Sequence, residues 1–375
     1  MAEIFLKVPS RILQGVNETN RLGIEISKLG KRVLLISETI LKEPTRKLQK
    51  LLESHGIGTI VYDEEPLKGT SFTIESCQNL ARGSHVESIL GFGGGRTLSI
   101  ARAVASSVPE VLHPDILMER GSGGGISLPC VELISDFWSP LLLQPRFSMT
   151  DSRTGVSRII EYHPNSLCLQ VCDPVQSLAL PERYRTPLFF ELLLNTLVCA
   201  VIPSRSFLSE VHSLSAFRRI WHRRKSLIGF WDLNCATDLM EAGFLTAMAH
   251  QETGSFWTGI LIESVSGHFR VSRPITAMIL MPYIMDYICG IATSEIQHFL
   301  GQLTDLEDVP PTPEALRESL RELIGWYSMP SQLRNTGILQ DSLALAAETA
   351  GQMLTLTGRG GITVDQMFSI LKSSW

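Results

Sequence analysis

The stretch Leu90-Gly91-Phe92-Gly93-Gly94-Gly95-Arg96-Thr97 decides how the first half of the chain is read. An apolar run, Glu87-Ser88-Ile89-Leu90, precedes the glycines and reads as a short buried strand. A helix-like run, Leu98-Ser99-Ile100-Ala101-Arg102-Ala103-Val104-Ala105, follows them. Strand, glycine cluster and helix start form the geometry that turns backbone N–H groups toward a phosphate. Glycine is needed there because a side chain would block close approach or forbid the turn. The spacing is not G-x-G-x-x-G, so the ordinary dinucleotide fingerprint is absent. A tight strand-to-helix turn with no ligand satisfies the same residues.

Working outward, Val33-Leu34-Leu35-Ile36-Ser37 is a β-rich run, residues 39–55 have a helical pattern, and Thr59-Ile60-Val61-Tyr62 is a second strand. A loop with Pro66 and Gly69 leads to a helix over 73–82. This alternation predicts a parallel sheet with helices on both faces. Such sheets bind ligands at the carboxyl ends of their strands, where Ser37 and Gly91 to Gly95 fall. After Pro181 strand signals fade and helical patterns cover 188–202, 236–250, 275–291, 313–328 and 338–355. Ser328-Met329-Pro330-Ser331 and Gly358-Arg359-Gly360-Gly361 read as helix stops. The expectation is an α/β domain of dinucleotide-binding type over 1–182 and an all-helical domain over 183–375, with the site in the crevice between them.

The 375 residues, 44% apolar and 19% charged, describe a globular chain with a large core. A net charge of −5 argues against a nucleic-acid partner. The basic run Arg218-Arg219-Ile220-Trp221-His222-Arg223-Arg224-Lys225 reads first as a solvated helix face, with phosphate or partner contact as the alternative. Seven cysteines, odd in number and without C-x-x-C pairs, suggest neither a disulfide framework nor a zinc ribbon, and a reducing, cytoplasmic setting fits. The opening residues lack a secretory pattern. Residues 275–291 are apolar but contain Pro282, Tyr283 and Asp286, and read as a buried helix rather than a membrane span.

Several separated motifs, in order, resemble the iron-containing alcohol dehydrogenase family, within the broader group of glycerol dehydrogenases and dehydroquinate synthases. Val8-Pro9-Ser10-Arg11-Ile12-Leu13-Gln14-Gly15 looks like its opening strand and turn, and Lys31-Arg32-Val33-Leu34-Leu35-Ile36-Ser37-Glu38 like its first nucleotide-binding strand. Gly93-Gly94-Gly95-Arg96-Thr97-Leu98-Ser99-Ile100-Ala101-Arg102 matches its G-G-G-S-x-x-D-x-A-K element. Asp173-Pro174 with Leu180-Pro181 matches D-P-x-x-x-x-x-L-P, and Met329-Pro330-Ser331-Gln332-Leu333-Arg334 looks like its late loop. The resemblance implies the two-domain architecture above and assembly as a homodimer or larger. It also implies a divalent metal, held by one Asp and three His, that polarises a carbonyl or alkoxide while a nicotinamide exchanges a hydride.

Carried over position by position, the resemblance puts Glu191 at the Asp ligand and Asn195, Gly259 and Arg273 at the three His ligands, with Glu263 at a nearby catalytic His. Asn is a weak ligand for iron or zinc, Gly supplies no side chain, and Arg brings a fixed positive charge. No metal is expected, and Arg273 is expected to replace its charge and pair with Glu191 or Glu263 across the cleft. Each residue has a plainer reading too. Glu191 and Asn195 would face a water-filled relic cleft, Glu263 would face solvent, Arg273 would cap a helix, and Phe256 and Trp257 would be core. His268, the one imidazole nearby, reads as an ordinary structural histidine.

The cofactor elements are half kept. Glu38 stands where the family has an acidic residue for the adenosine ribose, which favours NAD over NADP if either binds. Gly93, Gly94 and Gly95 survive, but Ser99 and Arg102 replace the family's Asp and Lys. The loop P-T-T-x-G-T-G-S-E corresponds to residues 128–138, where Leu133, Phe137 and Trp138 replace its glycines and hydroxyls. Phe137 and Trp138 would fill the nicotinamide site or, with Trp257 and His268, line a hydrophobic pocket. Three functions remain open. One is a cofactor-free, non-redox enzyme that cyclises or rearranges an apolar small molecule, as in an intramolecular Diels–Alder step of secondary metabolism, through shape and one polarising group. The second is a metal-independent NAD(P)H-dependent reductase of a carbonyl or enone. The third is a non-catalytic binding relic.

Overall fold

The computed structural model describes residues 11–64, 70–163, 166–202, 205–226, 231–253, 257–327, 329–357 and 361–375. Val8 to Ser10, Pro66, Gly69, Phe256, Ser328 and Gly358 to Gly360 lie outside the described residues. The described chain forms two units: 11–181 with 231–240, and 182–226 with 241–375.

In the first unit the strands are β1 (Ile12–Gln14), β2 (Arg32–Ser37), β3 (Gly58–Tyr62), β4 (Ser88–Gly93), β5 (Cys130–Ile134), β6 (Arg146–Thr150), β7 (Ser157–Glu161) and β8 (Leu167–Cys172). The helices are α1 (Leu22–Ser27), α2 (Lys42–Ser54), α3 (Thr70–Gly83), α4 (Gly95–Ser107), α5 (Pro114–Arg120) and α6 (Pro174–Ser177). Six strands pair in the order β1-β8-β5-β4-β2-β3, every pair parallel. Val33 to Ile36 of β2 are all at most 1% exposed, an unbroken apolar run of the kind a sheet covered on both faces requires. From β2 the chain crosses outward to β3 and then back past β2 to β4. The switch point therefore lies between the carboxyl ends of β2 and β4, where ligands of open α/β sheets sit.

In the sheet and its hairpin, two features differ from the sequence reading. The strand before the glycines does not stop at Leu90: Gly91 and Gly93 are paired in β4, opposite Glu132 and Ile134 of β5. A side chain on Gly91 would meet Ala101 Cβ at 2.8 Å, so this glycine serves to seat α4 on the sheet. The antiparallel hairpin β6–β7 was not anticipated. Its Phe147, Met149 and Ile160 are buried with Ile74 and Cys77 of α3 and Ile100 and Val104 of α4.

A buried ion pair fastens the segment after β5. Arg102 on α4 is 1% exposed, and its Nε and Nη2 donate to the two carboxylate oxygens of Glu132 on β5 at 2.5 and 2.8 Å. Its Nη1 donates to the carbonyls of Leu141, Gln144 and Arg146 at 2.8, 3.1 and 2.7 Å. Gln170 of β8 donates to Glu132 at 2.6 Å. Burial opposes the Arg102 charge, but Glu132 outweighs it and raises the guanidinium pKa. Asp173 plays a similar local part: it accepts from the backbone N–H of Asn17, Thr19 and Val175 and caps α6 ahead of Pro174.

The second unit holds α7 (Glu182–Val201), α8 (Phe207–Arg223), most of α9 (Leu233–Thr253), α10 (Trp257–Phe269), α11 (Arg273–Ile291), α12 (Thr293–Gly301), α13 (Pro313–Gly325), α14 (Leu343–Thr357) and α15 (Val364–Ser373). The sequence reading began α7 at Leu188; the helix starts at Glu182 and carries Pro187 within it. Residues 231–240, read as part of the helical domain, are counted with the first unit. There Trp231 Nε1 donates to the Ser177 carbonyl and the Trp231 ring meets Phe137 at 6.0 Å. By length and composition α11 would span a membrane, but it packs against α7, α10, α13 and α15. The basic run is tied down: Arg218 pairs with Asp305, Arg219 with Glu241, and Arg224 and Lys225 with Asp308.

Removing one partner of a buried ion pair costs about 3–5 kcal/mol, because the other charge stays behind unpaired. Arg102→Met is expected to destabilise the chain by that amount in urea titrations. Arg102→Met with Glu132→Leu is expected to recover most of it. A double variant no more stable than the single one would show that the carbonyl contacts, not the ion pair, dominate.

Candidate functional site

Each unit contains one polar cluster made of residues singled out in the sequence. In the helical unit, Glu191 and Asn195 are one turn apart on α7 and so share a face. Glu263 lies on α10, and Arg273 is the first residue of α11. Arg273 Nε donates to Glu191 Oε1 at 2.7 Å and Nη1 to Glu263 Oε2 at 2.5 Å. Arg273 thus pairs with both carboxylates, and all three belong to the helical unit, whereas the sequence reading placed one pair across a cleft. The side chains of Arg273, Glu191 and Glu263 are 18%, 2% and 16% exposed. Among the described residues, Arg273 Nη2 is buried and has no hydrogen-bond partner.

Asn195 is also engaged. Its Nδ2 donates to the Glu191 carbonyl at 2.7 Å, and its Oδ1 accepts from Thr258 Oγ1 at 3.3 Å. Thr258, which the sequence reading missed, stands next to Gly259 on α10. Burial raises the pKa of Glu191, and Arg273 offsets that only in part. Burial also works against the charge of Arg273, but Glu191 and Glu263 together outweigh it and raise its pKa. One guanidinium faces two carboxylates, so the cluster carries a formal excess of one negative charge when both are ionised. A divalent cation does not fit this set. The place between the carboxylates holds a guanidinium, the Asn195 oxygen is occupied, and Gly259 offers no donor.

Trp257 and His268 stand at opposite ends of α10, ~16 Å apart along the axis, so the helix does not bring them to one place. Trp257 is 7% exposed and edge-on to Tyr287, as expected of a core residue. His268 is half-buried and edge-on to Phe269, and burial lowers its pKa, so it is neutral near pH 7.

In the first unit the cluster surrounds the start of α4. Gly94 is the N-cap residue, without a side chain to cap the helix. Glu38 follows β2, and Ser37 is paired with Phe92 of β4, so the next residue along stands beside Gly93. Glu38 Oε1 accepts from Gly94 N at 2.8 Å and from Thr97 Oγ1 at 2.6 Å. The sequence reading gave Glu38 to the adenosine ribose if a dinucleotide binds; in the structure its Oε1 is bonded to the glycine turn. Phe137 and Trp138, expected to fill the nicotinamide site or line a hydrophobic pocket, are 0% and 1% exposed within this unit.

Comparison with known proteins follows the same lines. Residues 9–134 match the family described as iron-containing alcohol dehydrogenase. The chain is 22% identical to long-chain-alcohol dehydrogenase 1 of Geobacillus thermodenitrificans, over 92% of this chain and 89% of that one. It is 20% identical to NADH-dependent butanol dehydrogenase B of Clostridium acetobutylicum, over 100% of both. An archaeal halo-thermophilic Red Sea brine pool alcohol dehydrogenase superposes with a TM-score of 0.87 at 14% identity, over 100% of both chains. The resemblance read from the motifs is upheld: the chain is a relative of the iron-containing alcohol dehydrogenases and has their fold, a parallel α/β sheet unit followed by a helical unit.

A raised Glu191 pKa means that the folded chain holds this proton more tightly than the unfolded one. The group's contribution to stability is therefore full below the unfolded value and declines as pH rises through the folded one. Arg273→Met removes the charge that offsets this decline. Its destabilisation relative to wild type is expected to grow as pH rises above the ordinary carboxylate range in urea titrations, and a pH-independent difference would refute the coupling.

Proposed function

We propose that the chain is a metal-independent enzyme on the dehydrogenase fold, in which Arg273 supplies the positive charge to a carbonyl oxygen of a largely apolar small molecule. The observation that carries this reading is the Arg273 guanidinium itself, fixed by Glu191 and Glu263 while Nη2 is buried without an acceptor among the described residues. A buried donor without an acceptor is costly, and a substrate oxygen would relieve that cost. Two carboxylates fix the guanidinium's plane, so its remaining N–H groups are aimed before a substrate arrives.

A hydrogen bond from a fixed cation to a conjugated carbonyl withdraws electron density from the attached alkene. That assists an intramolecular cycloaddition or rearrangement, in which no atom or electron leaves the substrate. Restraint of the reactive conformer supplies the rest of the acceleration. Glu38 bound to the glycine turn supports a non-redox reaction. A metal-independent NAD(P)H-dependent reductase is the second reading, and retention of the glycine turn at the head of α4 favours it.

The mass balance of the reaction separates the two. Cyclisation gives a product isomeric with its precursor, whereas reduction gives one heavier by two hydrogen atoms. In a producing strain, Arg273→Ala is expected to lower product formation about 100-fold and to accumulate an isomeric precursor, read by mass spectrometry of extracts. A lighter precursor would establish the reductase, and an unchanged metabolite profile would leave only a binding relic. Stoichiometric iron or zinc in the purified chain, read by elemental analysis, would overturn the metal-independent reading altogether.

A further inference from the structure

We propose that the head of α4 is occupied by the chain's own carboxylate in place of a phosphate, so that the first unit excludes nucleotides. Free N–H groups at a helix start beside glycines ordinarily attract an anion. Here the anion is Glu38, which accepts from Gly94 N and Thr97 Oγ1 through a single oxygen.

The glycines themselves point the same way. A side chain on Gly93 would meet Glu38 Oε1 at 2.5 Å and Thr97 Cβ at 2.9 Å. One on Gly94 would run into the Asp136 carboxylate, and one on Gly95 would meet Ser139 Oγ at 2.6 Å. Each of the three is thus close to a side chain of this same chain, and the room that glycine leaves is already used. Ser139 and Asp136 come from the segment after β5, which Arg102 fastens through Leu141, Gln144 and Arg146. Two carboxylates, Glu38 and Asp136, therefore flank the place a diphosphate would need, and like charges at such contact repel.

The inference shares Glu38 with the non-redox reading but uses none of Arg273, Glu191 and Glu263, so it can fail while the Arg273 cluster stands, and the Arg273 cluster can fail while it stands. The test is calorimetric titration of the full chain with ADP, a probe that needs only the diphosphate cradle and an adenosine site. Wild type is expected to show no saturation in the micromolar range. Glu38→Ala with Asp136→Ala is expected to tighten ADP binding by roughly tenfold or more. Should that variant fail to fold, Glu38→Gln decides. It keeps an oxygen for Gly94 N and Thr97 Oγ1 but loses the charge, and is expected to show a smaller gain in the same direction. Micromolar ADP binding by wild type, or folded variants as blind to ADP as wild type, would overturn the proposal.

Discussion

The pairing of Arg102 with Glu132 is the constraint on which the first unit depends. A buried guanidinium and a buried carboxylate are bonded through two contacts, and the remaining N–H groups serve three carbonyls of one segment. Such a pair contributes little net stability beside a hydrophobic replacement, but it is costly to break. It therefore specifies one path for the segment between β5 and β6. That path places Phe137 and Trp138 in the core and holds Asp136 and Ser139 against the glycines.

Much of the architecture was legible in the sequence because it rests on local patterns. The apolar run of β2 and the glycines ahead of α4 announced a parallel sheet, and Asp173-Pro174 marked a helix start that the structure caps through the Asp173 carboxylate. The hairpin β6–β7 was not legible, since Arg146 to Glu161 alternates weakly and its partner face is set by α3 and α4 from elsewhere in the chain. The start of α7 was misplaced because Pro187 reads as a breaker, yet packing of the buried residues from Thr186 onward overrides one missing ladder bond. In the candidate site, family spacing led to Glu191, Glu263 and Arg273. Nothing local showed that one Arg would bond both carboxylates, or that Thr258 would occupy Asn195.

A guanidinium standing where the resemblance implies a divalent cation would alter the chemistry available. A metal can exchange ligands, expand its coordination and acidify a bound water. A guanidinium only donates hydrogen bonds, in one plane, and does not release a proton at working pH. A site built on Arg273 can polarise an oxygen and orient it but cannot generate hydroxide, which narrows the reactions to those that need no activated water.

The excess carboxylate beside Arg273 sets a further limit, on substrate charge. A lone arginine in a half-buried setting would welcome acids and phosphorylated metabolites. With Glu191 and Glu263 both holding it, the surroundings of Nη2 are net negative, so carboxylates and phosphate esters meet repulsion before they reach the donor. Uncharged molecules cross that field without penalty. If a substrate oxygen is taken up by Arg273, as proposed above, the pair of acids would favour neutral compounds over anions at the approach to the donor.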